Sequence, residues 1–86
     1  MASVAEVRAA IDTAIMHVTD GQAAVRAASV SLEEAQQRLA AAVDGSVHDA
    51  VNVAQAALTQ AGVELDDCLT ATVQAVEHAQ AYASTL

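Results

Sequence analysis

Branched aliphatic residues recur every seven positions along the first half of the chain, at Val4, Ile11, Val18, Val25, Leu32 and Leu39. Three places after each stands Val7 or a small residue: Ala14, Gly21, Ala28, Ala35 and Ala42. Charges fall on the far face, at Glu6, Asp12, Asp20, Arg26, Glu33 and Glu34. A sevenfold apolar repeat with a polar reverse side marks a helix that packs along one stripe. Ser3-Val-Ala-Glu6 has the form of a capping box that would start it. The phase runs unbroken through Asp20-Gly21, a turn-prone pair, and through Ser31-Leu-Glu-Glu34, a second capping-box form. A real break would reset the phase, so the pattern predicts one helix over about residues 3–43, with a kink near Gly21 as the one deviation it admits.

Asp44-Gly45-Ser46 predicts the end of that helix and the turn. Glycine accepts the left-handed conformation that closes helices, and Ser46 followed by Asp49 can cap the next one. The second helix is expected over about residues 47–84. Its seam reads Val47, Val51, Ala54, Leu58, Ala61, Leu65, Cys68, Thr72, Ala75, Ala79, Tyr82 and Leu86. Past Leu65 the larger groups drift to Leu69, Val76 and Ala83, as happens when a straight helix outruns a seven-residue repeat. A short turn makes the pair antiparallel, an all-α hairpin about 60 Å long and one domain over residues 1–86. The alternation of large and small seam residues suggests backbones at or inside the usual separation of about 8–10 Å.

Apolar residues are left over outside this seam. Ala9, Met16, Ala23 and Val30 repeat on another face of helix 1, with Ile15 alongside, and Val53, Leu69, Val73 and Val76 do something similar on helix 2. A second apolar stripe implies a second contact surface. Met16, Val30, Leu69, Val73, Val76 and Tyr82 are therefore the candidate partner surface, and dimerisation into a four-helix bundle is expected.

Composition supports a rod. Alanine, the best helix former, dominates the 55% hydrophobic share, proline is absent, and Tyr82 is the one aromatic. The net charge is −8 and unevenly placed. Residues 1–43 set five carboxylates against Arg8, Arg26 and Arg38, whereas residues 44–86 carry Asp44, Asp49, Glu64, Asp66, Asp67 and Glu77 with no Lys or Arg. That surface repels nucleic-acid phosphates and anionic lipid headgroups and suits a neutral or basic protein. No segment approaches the roughly 20-residue apolar run of a membrane span. The N-terminus lacks the basic start and apolar stretch of a secretory signal, so cytoplasmic synthesis is expected, compatible with export that needs no cleavable signal.

Candidate chemistry is sparse. His17, His48 and His78 are far apart, and a turn at residue 45 would set His17 near residue 73, a turn and a half from His78. No Glu-x-x-His pair of the di-iron type occurs, and surface histidines rather than metal ligands are expected. Cys68, on the predicted seam, reads as a packed and inert thiol. Glu64, Asp66 and Asp67 read as a solvated face, lacking the glycine-bearing loop of an EF-hand. Neither a phosphate-binding loop nor a nucleophile–base pair is present, so no catalytic, cofactor or metal residue is assigned. Tyr82 either caps the core or anchors a partner.

Two helices of about forty residues around a glycine-centred turn, in a short acidic chain, resemble the WXG-motif helical hairpins of type VII secretion. The opening Met1-Ala-Ser-Val-Ala-Glu-Val-Arg-Ala-Ala-Ile11, the Ser31-Leu-Glu-Glu-Ala-Gln36 segment and the ending Ala81-Tyr-Ala-Ser-Thr-Leu86 are similar to short actinobacterial proteins and to the N-termini of some actinobacterial polymorphic toxins. Asp44-Gly45-Ser46 stands where that family has Trp-x-Gly, and Leu86 stands where its export signal would place an acid four residues after Tyr82. The resemblance implies homodimeric or heterodimeric pairing and service as a partner or targeting hairpin for a larger effector. Three functions follow as expectations, all non-catalytic: such an adaptor, a homodimeric four-helix scaffold without an export role, or an acidic immunity-type protein masking a basic toxin.

Overall fold

The computed structural model describes residues 1–43 and 48–86. Two helices form an antiparallel hairpin: α1, Val4–Ala42, and α2, Asp49–Ala83. Both are uninterrupted, so neither Gly21 nor Gly62 ends a helix, and Ser31 lies inside α1 as a helical residue. The predicted turn at Asp44, Gly45 and Ser46 lies outside the described residues, as does Val47.

Local chemistry sets the ends. Ser3 sits in extended geometry, and its Oγ accepts from the Glu6 N–H at 3.1 Å, satisfying one of the orphan amides of the first turn. At the other end of α1 the Val43 N–H donates to the Leu39 carbonyl at 3.2 Å. His48 precedes α2 in extended geometry without a side-chain cap, and Asp49 supplies the first-turn negative charge that favours a helix N-terminus.

The seam differs from the expected one in an instructive way. On α1 the residues turned towards α2 are Val7, Ile11, Ile15, Val18, Gln22, Val25, Ser29, Leu32, Gln36, Leu39 and Val43. The sevenfold aliphatic series holds from Ile11 to Leu39. The second seam position, however, falls four residues after each of these rather than three. Ala14, Gly21, Ala28, Ala35 and Ala42 are exposed, and Ile15, Gln22, Ser29, Gln36 and Val43 take their place. The cause is angular: at about 100° per residue the fourth residue lies about 40° from the first and the third about 60°, so the narrow face turned to a single neighbour takes the fourth. Val4 is also a correction: it is 55% exposed, at the free end of the hairpin.

On α2 the inward residues are Val51, Ala54, Gln55, Leu58, Ala61, Gly62, Leu65, Leu69, Thr72, Val76, Ala79, Ala83 and Leu86. The expected drift is present. Leu69, Val76 and Ala83 face α1, while Cys68, Ala75 and Tyr82 are exposed. A straight helix turns 100° per residue, so a strict sevenfold stripe slides sideways by about 20° each repeat until the next residue takes over. Cys68 is thus an exposed free thiol and not a packed one.

Polar side chains cross the seam in two places. Gln22 Nε2 donates to Thr72 Oγ1 at 3.1 Å, and that hydroxyl donates on to the Leu69 carbonyl at 2.8 Å. Fourteen residues along α1, Gln36 Nε2 donates to Thr59 Oγ1 at 3.0 Å, which donates to the Gln55 carbonyl at 3.0 Å. Gln55 Nε2 returns a bond to the Gln36 carbonyl at 3.1 Å. At the free ends, Arg8 Nη2 donates to the Leu86 carbonyl at 2.7 Å. These pairs align the helices so that facing residue numbers total about 94, which puts His17 level with residue 77 rather than 73.

The result is a rod of 65 × 18 × 15 Å. Its radius of gyration is 19.5 Å, against the roughly 12 Å of a compact 86-residue domain.

Gln22 is the one buried side chain among the described residues, at 9% exposure, so its hydrogen bond is the costly one to break. Thr72→Val removes the acceptor and should lower the unfolding free energy by about 1–3 kcal/mol in urea titrations. Combining it with Gln22→Leu should restore most of that loss, because no buried amide is then left without a partner.

Candidate partner surface

Among the described residues no hydrophobic side chain is buried. The seam aliphatics are all half-covered, because a helix with one neighbour presents each of them partly to solvent. Met16 at 58% exposure, Val30 at 53% and Tyr82 at 56% stand free on the surface, as does Val73. Leu69 and Val76, also expected there, instead face α1 in the seam. Val63 is exposed and was not foreseen, since its position matches neither the seam repeat nor a second one.

The outward apolar residues are arranged differently on the two helices. Met16 and Val30 share one face of α1 with Ala9 and Ala23, and fourteen residues separate them by about 21 Å. Ile15 belongs to the seam. On α2, Val53, Val63 and Val73 follow at intervals of ten. Ten residues fall about 80° short of three full turns, so these valines wind round the helix and do not form a stripe.

A depression lies between the helices, in the half of the hairpin nearer Val43 and His48. It measures about 220 Å³ and is lined by Ser29, Leu32, Glu33 and Gln36 from α1 and Leu58, Thr59, Gly62, Val63 and Asp66 from α2. Ser29 and Gly62 are too small to fill it, and a Cβ placed on Gly62 meets no atom within 4 Å. The glycine therefore opens a groove rather than permitting close backbone contact. Its size lies below the roughly 300–1,000 Å³ of small-molecule sites.

Electrostatically the helices are unlike. Asp49, Glu64, Asp66, Asp67 and Glu77 lie on α2 without a lysine or arginine, while α1 holds all three arginines. His17, His48 and His78 are exposed. Among the described residues no three His, Cys, Asp or Glu side chains are placed to hold a metal ion, and no helix is long and apolar enough to cross a membrane.

No family model, curated protein or solved structure matches this chain.

Neither Gly21 nor Gly62 is held by a neighbour, so each weakens its helix without a packing return. Gly21→Ala and Gly62→Ala should each raise the unfolding free energy by about 0.5–1 kcal/mol, read as a higher urea midpoint at constant slope.

Proposed function

We propose that this chain is a non-catalytic protein–protein interaction module that completes its core by packing against a second helical hairpin, either a copy of itself or a similar one. Its place would be that of a partner, adaptor or targeting hairpin in a type VII-like secretion or toxin system, the setting that the likeness to WXG-motif hairpins suggests. The observation that carries the packing proposal is the uncovered core. The chain exposes 6127 Å², whereas a compact protein of 8.7 kDa would expose about 4,700 Å². The excess is about 1,400 Å², more than the roughly 800 Å² that each partner gives to a standard interface. A second hairpin laid along this one would cover half-exposed aliphatics on both helices and yield a four-helix bundle.

One observation favours a second function. α2 carries five carboxylates and no cation, a surface suited to masking a basic toxin as an immunity-type protein would. Salt separates the two: packing of apolar faces survives high ionic strength, and charge masking weakens steeply with it.

Light scattering coupled to chromatography tests the packing proposal, on the chain alone and mixed with the products of neighbouring genes. A complex of at least two hairpins is expected at micromolar concentration, and it should persist in 1 M salt. A stable monomer in every mixture would end the proposal.

A further inference from the structure

The groove between the helices has features that specify its occupant more narrowly than helix packing does. Each helix contributes one carboxylate to the lining, Glu33 from α1 and Asp66 from α2, and on α2 the exposed Val63 stands three residues before its acid. Residues three apart on a helix share a face, so Val63 adjoins Asp66 along the rim. The floor is Leu32 and Leu58, both half-buried. The polar groups at one end, Gln36 and Thr59, already bond to each other and to Gln55. An apolar occupant therefore breaks no hydrogen bond when it enters.

We propose that this groove receives one large apolar side chain from a basic partner helix, whose Lys or Arg residues, one turn to either side, meet Glu33 and Asp66. The assignment rests on the interaction-module proposal and deepens it by naming the chemistry of the partner. Charge decides against a second copy as the occupant, since it would bring a further −8 to a rim that is itself acidic. Arg26, two turns before Glu33, is the cation on that flank of α1 and lies outside the groove lining. Volume decides for a side chain over a small-molecule cofactor.

The test uses the full ¹⁵N-labelled chain and three synthetic helical peptides: one with a central Phe flanked at one-turn spacing by Lys, one with Ala for the Phe, and one with Glu for the Lys. Amide shifts confined to Ser29–Gln36 and Leu58–Asp66 are expected with the first peptide and with neither of the others. A Cβ at Gly62 meets no atom within 4 Å and opens onto the groove, so with Gly62→Leu the melting temperature should hold or rise while peptide affinity falls at least tenfold. Glu33→Lys combined with Asp66→Lys should lower affinity to a similar degree. Shifts spread along both helices, or undiminished binding to Gly62→Leu, would overturn the assignment. Concentration-dependent shifts at the same residues without peptide would give the groove to a second copy and equally overturn it. A complex in the chromatographic experiment together with peptide indifference at the groove would sink this inference alone. A monomer in every mixture would sink the module as a whole.

Discussion

A helix with a single neighbour can hide only one face, and even that face stays partly wet. In this hairpin the limit shows at every layer. The seam aliphatics are half-buried, no hydrophobic side chain among the described residues is fully buried, and the rod measures 18 × 15 Å across its short dimensions. Burial of apolar area is the main favourable term in folding, at about 25 cal/mol per Å², so a protein that leaves this area open retains a large driving force for association. The exposed flanks, the groove and the proposed function all descend from that shortage of neighbours.

Alanine is what makes the arrangement affordable in sequence terms. Its helix propensity lets two rods of 39 and 35 residues persist with little tertiary support. The same residue falls on both sides of the hairpin: Ala14, Ala28, Ala35 and Ala42 are exposed on α1, whereas Ala54, Ala61, Ala79 and Ala83 turn towards it from α2. Where Ser29 and Gly62 line the same stretch between the helices, the outcome is a groove.

Much of the architecture was legible in the residues. The sevenfold series from Ile11 to Leu39 gave α1 its length and inward face, and Ser3 marked its start. The drift of α2 towards Leu69 and Val76 followed from the mismatch between 3.6 and 3.5 residues per turn, although the same two residues were also assigned to the outer surface. What hydrophobicity could not reveal was the second seam position. Gln22, Ser29 and Gln36 look like surface residues by polarity, yet the two glutamines find hydroxyl partners on α2 and Ser29 turns its hydroxyl back to the Val25 carbonyl of its own helix. The groove was illegible for a related reason. It arises where two small residues, Ser29 and Gly62, come into the same layer, and that coincidence depends on the register between helices rather than on either helix alone.

Register is where the polar seam has its consequence. Alanine-rich helices with sevenfold repeats could slide by seven residues and still set aliphatic against aliphatic. A slip of that size would move Gln22 from Thr72 to the level of Leu65 or Ala79, neither of which has a side chain that can accept a hydrogen bond. Gln36 discriminates less, because Asn52 or Asp66 would take the place of Thr59 and either could serve. The buried amide is therefore the stronger guard, as an unpaired polar group in a covered site costs about 1–3 kcal/mol. One glutamine thus selects the alignment in which Ser29, Gly62, Glu33 and Asp66 line one groove, so the feature that fixes the fold also shapes the surface a partner would meet.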